Sequence, residues 1–145
     1  MFKYLVIVFC VIACAREVKA QSTSTDPARD EFIESMASFA KTQKYVQVVP
    51  EFKGGAGALY DYLQSHIIYP PEAKKEDLSA QVFVSFLIDW KTGLPKDVKI
   101  VQSSNKLFEA ETLRLIKAMP AWVPAKQDGK DVGMIMTIPV YFHLN

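Results

Sequence analysis

The clearest regular pattern in the chain is an alternation of apolar and polar residues over residues 81–90. One of the two alternating sets is wholly apolar and comprises Val82, Val84, Phe86, Ile88 and Trp90. Because successive side chains of an extended chain point to opposite faces, this pattern predicts a strand with one buried face. A polar turn over residues 91–95 and an apolar return over residues 98–102 predict the second strand of an antiparallel hairpin.

A second alternating segment covers residues 134–144. Its first set is Met134, Met136, Ile138, Val140 and Phe142, and its second set is Ile135, Thr137, Pro139, Tyr141 and His143. Proline cannot donate a hydrogen bond to a neighbouring strand, so it is found mainly at sheet edges and bulges. Pro139 therefore predicts that this strand lies at the rim of the sheet. We expect part of that edge to be available to another chain.

Two segments of the same region have the apolar spacing of helices. The first covers residues 59–68 and stops at Tyr69-Pro70-Pro71, because proline lacks the backbone donor and restricts the residue before it. The second covers residues 108–119 and stops at Pro120. Together with the strands, these helices predict a small α+β domain over residues 50–145.

An additional amphipathic helix is predicted over residues 28–45, within a segment (21–49) that begins as a polar spacer. Its apolar stripe is Phe32, Met36, Phe39 and Ala40, and Asp26 before Pro27 is suited to cap its first turn. The helix either packs on the domain or docks on a partner. The sequence leaves both interpretations open.

Residues 1–20 have the features of a secretory signal peptide. Lys3 is followed by an apolar stretch over residues 5–15 and by the small-residue pattern Val18-Lys19-Ala20. The stretch is well short of the roughly 20 apolar residues that a spanning helix needs, so a retained membrane anchor is the weaker interpretation. We expect an exported, periplasmic protein.

Lipidation is the alternative fate of the same segment. Val11-Ile12-Ala13-Cys14 resembles the lipobox of bacterial lipoproteins, in which residues 1–13 are removed and Cys14 becomes the lipidated first residue. The protein would then be lipid-anchored in the cell envelope and would contact the membrane only through its acyl chains. The same contact would follow if the leader were retained.

The composition gives little support to catalysis or to metal binding. Cys10 and Cys14 both lie in the leader, and His66 and His143 have no carboxylate at a zinc-ligand spacing. No serine lies in a Gly-x-Ser-x-Gly context. Residues 21–145 carry 14 basic and 15 acidic side chains, so a nucleic-acid partner gains no support. We expect a protein without a cofactor that is not an enzyme.

Several motifs together resemble the C-terminal domain of TonB, particularly the short periplasmic versions typical of Bacteroidetes-type bacteria. The motifs, in chain order, are Pro50-Glu51-Phe52-Lys53-Gly54-Gly55, Ile67-Ile68-Tyr69-Pro70-Pro71-Glu72-Ala73, Gln81-Val82-Phe83-Val84-Ser85-Phe86, Met119-Pro120-Ala121-Trp122-Val123-Pro124 and Ile138-Pro139-Val140-Tyr141-Phe142. The resemblance covers about two thirds of the chain. It implies a three-stranded antiparallel sheet with two helices packed on one face, accompanied here by the extra N-terminal helix.

The resemblance also implies a function in transmembrane transport. Members of this energy-transducer family bind the TonB box, an extended segment of an outer-membrane transporter, by adding it as a strand to the edge of their last strand. It implies that Ile68, Tyr69 and Pro70 lie beside the bound segment. It likewise implies that residues 135–141, with Ile135, Thr137, Pro139 and Tyr141, form the receiving strand.

Two departures from the family limit this expectation. TonB proper has an N-terminal transmembrane helix and a long proline-rich spacer, whereas this chain has a short apolar leader and about 30 residues of spacer. If the leader is cleaved, no force reaches the domain from the inner membrane. The alternative is therefore a stand-alone structural or assembly domain of the cell envelope that forms a homodimer through its free edge. A small secreted enzyme or inhibitor of related layout is a third hypothesis.

Overall fold

Four α-helices and five strands are present in residues 4–5, 26–42 and 47–144, which are the residues that a computed structural model of the chain describes. The helices are α1 (Pro27–Thr42), α2 (Gly55–His66), α3 (Pro71–Lys75) and α4 (Glu109–Lys117). The strands are β1 (Tyr4–Leu5), β2 (Ala80–Ile88), β3 (Pro95–Ser103), β4 (Ala125–Gln127) and β5 (Lys130–Phe142). The α+β class predicted from the sequence is confirmed.

The sheet has the strand order β1-β5-β2-β3, and β4 pairs with the start of β5. Strand β2 is antiparallel to β3 on one side and to β5 on the other, with Val84 opposite Ile138 and Ser85 opposite Thr137 in the β2–β5 register. The predicted hairpin and the predicted terminal strand are therefore both present, and they share β2 as their common neighbour.

The prediction of three strands was too low. Strand β4 adds a fourth antiparallel strand, with Lys126 opposite Asp131, and β1 adds a two-residue parallel strand. The β4–β5 hairpin forms because Asp128 and Gly129 both have positive φ, at 51° and 73°, as a type I′ turn requires. Strand β4 has only three residues, which leaves almost no periodic signal in the sequence.

The core lies on one face of the sheet, beneath the helices. It contains the apolar sets of both alternating segments, namely Val82, Val84, Phe86, Ile88, Met134, Met136, Ile138, Val140 and Phe142. Helix α2 contributes Leu59 and Leu63, and α4 contributes Leu115 and Ile116. Burial of each such side chain stabilises the fold by about 1.5–3 kcal/mol. The alternation over residues 81–90 and 134–144 thus indicates which side chains of each strand face the core.

The helix boundaries differ from the predicted ones in detail. Helix α2 begins at Gly55 and ends at His66, four and two residues earlier than predicted. Helix α3 was not predicted, because Pro71 was taken only as a stop. Proline is also well suited to the first position of a helix, where its missing donor is not needed. One proline here both ends an extended segment and begins a helix.

Helix α1 packs on α2. The Asp26 carboxylate accepts hydrogen bonds from the Ala28 backbone N–H at 3.0 Å and from the Tyr60 hydroxyl at 2.7 Å. The Phe32 ring lies 5.6 Å from the Tyr60 ring, and Arg29 pairs with Asp61 at 3.2 Å. The predicted cap at Asp26 is therefore present. The predicted C-terminal end of the helix, at residue 45, lies outside the described residues.

The segment before α2 joins the edge of the domain. Val48 forms an isolated bridge with Lys126, and Glu51 forms one with Val123. The turn between β2 and β3 is linked to the same region, because the backbone N–H of Trp122 donates to the Gly93 carbonyl at 2.8 Å. Within the described residues, no helix has both the length and the apolar character needed to cross a membrane.

Candidate partner-binding edge

The candidate site is the side of β5 that faces away from β2, over residues 135–142, which we call the β5 rim. Gln81 and Tyr141 are opposite each other in the β2–β5 register. The Gln81 carbonyl accepts from the Ser104 N–H on the β3 side, and the Tyr141 carbonyl accepts from Gln64 Nε2 at 3.1 Å. The backbone groups of these two residues therefore do not bond to each other, although their side chains are joined by a hydrogen bond. Because outward and inward residues alternate, the backbone groups of Ile135, Thr137 and Pro139 also face the β5 rim.

This alternation explains how Pro139 is accommodated inside a strand. Its nitrogen, which has no hydrogen to donate, faces the β5 rim, so the ladder between β5 and β2 continues on both sides of it with Val82 opposite Val140. The Pro139 side chain itself is buried. Pro139 thus occupies a position at which a central strand would need a donor and an edge strand does not.

The start of β5 already has neighbours on its outer side. Strand β4 pairs with Lys130–Val132, and β1 pairs in parallel with Gly133 and Met134. Within the described residues, no strand pairs with the outer side of β5 beyond Met134. The pairing of β1 shows that the outer side of this strand can hold an extended segment.

Helix α1 runs alongside β5 in the opposite direction. Asp26, before the start of α1, interacts electrostatically with His143, and Glu31 interacts with Tyr141. Further along α1, Ile33 and Met36 line a cavity with Met136 of β5. The β5 rim is therefore flanked by a helix, and a cavity lined by that helix, by residues 47–52 and by the start of α2 reaches Met136 of β5.

The electrostatics of the rim are governed by burial and by two carboxylates. Burial raises the pKa of the Tyr141 hydroxyl, and the nearby Glu31 charge raises it further. The hydrogen bond from the Tyr60 hydroxyl, supported by the backbone N–H of Ala28, holds the pKa of Asp26 below its usual value despite partial burial. Asp26 is thus an anion at neutral pH that fixes the start of α1 close to the end of β5.

The other predicted contact residues have different surroundings. Ile68 is 63% exposed, and its backbone N–H donates to Glu111 Oε1 at 2.7 Å. Tyr69 instead packs inward: its hydroxyl donates to the Leu78 carbonyl, and its ring lies 6.2 Å from that of Phe142. Ile68 is therefore the exposed residue of the three, and it is supported by Tyr69 and the half-buried Pro70.

A charged pair on α4 holds the segment that carries Ile68. Arg114 bonds Glu111 at 2.6 Å and donates to the His66 carbonyl at 2.9 Å. Burial alone would raise the pKa of Glu111, but the hydrogen bonds from Arg114 and from the Ile68 N–H outweigh it and lower that pKa. The segment after α2 is thus positioned by α4, through Glu111 and Arg114, and by the contact of Tyr69 with Phe142 of β5.

The described part of the chain was predicted to lack a metal site, and its acidic and histidine side chains are not clustered. No group of three or more His, Cys, Asp or Glu side chains in residues 26–42 and 47–144 is arranged to hold a metal ion. The candidate lipidation residue Cys14 lies outside the described residues. What the β5 rim offers chemically is backbone donors and acceptors, with apolar side chains beside them.

Two residues on the helices beside β5 were not predicted from the sequence to belong to the site. Gln64 reaches the Tyr141 carbonyl from α2, and Met36 faces the same side of the domain from α1. Neither belongs to a motif, because their role depends on how the two helices lie relative to β5. The apolar stripe that contains Met36 was visible, but the surface it packs against was not.

The chain belongs to the family described as the Gram-negative bacterial TonB protein C-terminal, which residues 65–144 match. Domains of this family interact in general with outer-membrane transporters and are periplasmic in Gram-negative bacteria.

Among solved structures, the chain is similar to the TonB C-terminal domain of Helicobacter pylori (residues 194–285). The identity is 22%, the coverage is 59% of this chain and 88% of that one, and the TM-score is 0.47. It is also similar to the Pseudomonas aeruginosa TonB C-terminal domain, with 25% identity, 54% and 78% coverage and a TM-score of 0.44. No curated protein sequence shows significant similarity to the chain.

Proposed function

We propose that the protein binds an extended, TonB-box-like segment of an outer-membrane transporter by adding it as a strand along the β5 rim. The observation that carries this proposal is the set of outward-facing backbone groups at Ile135 and Thr137, next to Pro139, whose nitrogen has no hydrogen that needs an acceptor. Family membership supplies the class of partner. The protein acts as a binding module and not as an enzyme.

Strand addition uses the two kinds of group that the rim contains. Main-chain hydrogen bonds hold any extended segment, and the side chains beside the strand select among sequences. Ile135, Thr137 and Tyr141 are half-buried and carry no formal charge, so the rim favours a segment with apolar or small polar residues. Ile68, on its support of Tyr69 and Pro70, adds an exposed apolar contact at the end of the domain where Phe142 lies.

Export fits the same proposal. Residues 1–20 act as a signal peptide, and the mature chain begins at Gln21 in the periplasm. Because β1 (Tyr4–Leu5) lies in this segment, cleavage would leave the outer side of β5 unpaired from Gly133 onward. Mass spectrometry of the mature N-terminus from native cells tests this step. A start at Gln21 supports it, whereas a lipidated Cys14 or an intact Met1 contradicts it.

Peptide binding to two Thr137 variants tests strand addition. Thr137→Pro removes the outward-facing donor at the centre of the rim, while Thr137→Val keeps the donor and the branched shape. Synthetic peptides copied from the N-terminal segments of outer-membrane transporters should bind the wild type and Thr137→Val equally. They should bind Thr137→Pro at least about tenfold more weakly, because one main-chain hydrogen bond is lost and a partner carbonyl is left unpaired.

The control for this test is a measurement of whether the variant is folded. Thermal unfolding followed by circular dichroism must show that Thr137→Pro remains folded at the assay temperature. Equal binding by a folded Thr137→Pro variant would overturn strand addition at the β5 rim.

The alternative is a homodimer in which two copies pair through the β5 rim, in an envelope role without energy coupling. The specific observation in its favour is the same outer side over residues 135–139, with which no strand of the described residues pairs, since an open edge accepts a second copy as readily as a peptide. Sedimentation over a range of concentrations distinguishes the two. A protein that stays monomeric at high concentration, and that binds peptide, contradicts the dimer.

A further inference from the structure

We propose that the pocket enclosed by α1, residues 47–52, the start of α2, Trp122 and Met136 of β5 is a specificity pocket that receives a large apolar side chain of the bound segment. Helix α1 would then be part of the partner site. This inference rests on the proposed strand addition and adds to it the chemistry that selects the segment.

The position of the pocket follows from the register of β5. Met136 lies in its wall, and the backbone groups of Met136 face β2, so its side chain is on the core face of the sheet. A strand added along the β5 rim would have every second side chain on that same face. Directly opposite side chains in neighbouring strands have their Cβ atoms about 4.5–5.5 Å apart. The residue opposite Met136 would therefore point into the pocket.

Helix α1 forms the facing wall. Ile33 and Met36 are half-buried, Phe39 is buried, and Ala37 is exposed although it also lines the pocket. The exposed Ala37 marks the side on which the pocket opens to solvent. A side chain that enters from the β5 rim thus meets the apolar stripe of the helix.

The size and lining of the pocket fit an apolar occupant. Its volume is about 460 Å³, within the roughly 300–1,000 Å³ range of protein sites for small groups. Two of its wall residues are methionines, Met36 and Met136, whose flexible side chains adapt to occupants of different shape. Most of its lining side chains are apolar, and the polar ones are Gln47 and Glu51. A negatively charged side chain would lose its hydration there without gaining an ion pair.

One wall residue carries a donor that lacks an acceptor. Trp122 is 3% exposed, its ring is flanked by Phe52 at 5.5 Å and Phe86 at 5.7 Å, and its Nε1 has no hydrogen-bond partner in the described part of the chain. Buried side-chain donors nearly always have a partner. An occupant that brings an acceptor, such as a thioether sulfur or a backbone carbonyl, would accept a hydrogen bond from Nε1. The fluorescence emission of Trp122 should therefore change when the pocket fills.

The test is a double-mutant cycle between protein and peptide. A random heptapeptide library displayed on phage is selected against the full-length protein. In one selected peptide, the residue that selection fixes as large and apolar is then changed to alanine. Ala37→Phe narrows the pocket, and Ser38→Phe makes a similar change at the next exposed residue of α1, which does not line the pocket. A Trp90→Phe background leaves Trp122 as the only tryptophan, whose emission reports binding.

The pocket predicts three results. The alanine change in the peptide should weaken binding to the wild type and to Ser38→Phe by about tenfold or more, because a buried apolar side chain is lost. The same change should weaken binding to Ala37→Phe by less than about threefold, since the pocket is already narrowed. Filling the pocket should shift the emission of Trp122.

Two other results would overturn the inference. One contradicts the pocket alone, and the other contradicts strand addition as well. In the first, peptides bind and Thr137→Pro weakens their binding, but the alanine change in the peptide lowers affinity for Ala37→Phe as much as for the wild type. The pocket is then wrong, and strand addition remains. If no selected peptide is sensitive to Thr137→Pro, strand addition fails and the pocket fails with it.

Discussion

The sheet has two long rims on opposite sides of β2, and they differ in charge and in regularity. The β3 rim, the side of β3 that faces away from β2, carries exposed Lys96, Asp97 and Lys99, and the β2–β3 ladder has two register shifts. The β5 rim has the half-buried Ile135, Thr137 and Tyr141 and a ladder to β2 without a shift. Charges and bulges are the usual means of preventing an edge from pairing. By this comparison the β3 rim is protected, whereas the β5 rim lacks these protective features.

The helices beside the two rims differ as well. Helix α4 packs over β2 and β3 through the core residues Leu115 and Ile116. Helix α1 is held by a capping carboxylate at Asp26, by aromatic contact at Phe32 and by an ion pair of Arg29 that is largely exposed to solvent. Exposed ion pairs contribute little, about 0–1 kcal/mol. Helix α1 also places Phe32 and Phe39 in the core, so both helices are anchored by buried side chains and differ mainly in the strands that they lie beside.

The largest expected effect is at the contact between the β2–β3 turn and Trp122. Gly93 has φ +71°, and a Cβ atom there would lie 2.2 Å from the Trp122 carbonyl oxygen. Gly93→Ala should therefore lower the free energy of unfolding by well over the roughly 1–2 kcal/mol of left-handed strain alone. Urea unfolding followed by circular dichroism measures this loss.

Gly129→Ala is the matched control for that change. Gly129 has a similar φ of +73°, but an added Cβ would meet no atom within 4 Å. We expect the strain alone, about 1–2 kcal/mol. Equal losses for the two variants would contradict the close contact between the β2–β3 turn and Trp122.

A smaller effect should appear at the attachment of α1, and it depends on pH. The pKa of Asp26 is lowered in the folded protein, chiefly by the Tyr60 hydroxyl, so its stabilising contribution is present above its unfolded pKa of about 4 and is lost as the pH falls through the folded value. Asp26→Asn keeps a capping side chain but removes the charge. At pH 7 it should cost about 0.5–1 kcal/mol in the free energy of unfolding.

The pH dependence of that cost is the check. Urea unfolding of wild type and Asp26→Asn should differ at pH 7 and converge as the pH is lowered below the folded pKa of Asp26. A difference that stays constant with pH would show that the charge of Asp26 does not stabilise α1.

The smallest expected effect compares the two rims directly. A lysine is placed in each rim, at Ile135 in β5 and at Val101 in β3, which is 49% exposed. Ile135→Lys should weaken peptide binding by up to about fivefold, because an apolar cross-strand contact worth about 0.2–1 kcal/mol is lost. Val101→Lys should leave binding unchanged. Isothermal titration measures both, and a loss at Val101 equal to that at Ile135 would contradict the assignment of the site to β5.

Much of the fold was predictable because the sheet is buried on one face only. The alternation around Val84 and Ile138 identified β2, β5 and their inward faces. The edge predicted from Pro139 is present in the described residues only beyond Met134, because β4 and β1 pair with the start of β5. Strand β4 was missed because three residues carry no period, and α3 was missed because Pro71 signals both a stop and a start. Short elements are fixed by their neighbours and by turn geometry more than by their own pattern.

The candidate site was predictable in its strand but not in its surroundings. The position of α1 beside β5 depends on contacts such as Asp26 with Tyr60, which join residues 34 positions apart in the sequence. The pocket at Met36 and Met136 exists only through that packing. The resemblance predicted Ile68 and Tyr69 as contact residues, and the structure adds that Ile68 is exposed while Tyr69 packs inward. Local patterns identify faces of elements, whereas a site between elements requires their arrangement.

Hydrogen exchange at individual amides of β5 tests the central claim most directly. The amides of Met136, Ile138 and Val140 face β2 and should be protected in the free protein, whereas those of Ile135 and Thr137 face the rim and should exchange faster. Addition of a bound peptide should slow exchange at Ile135 and Thr137 and leave the β3 amides unchanged. Protection that appears along β3, or none at Ile135 and Thr137, would contradict strand addition at the β5 rim.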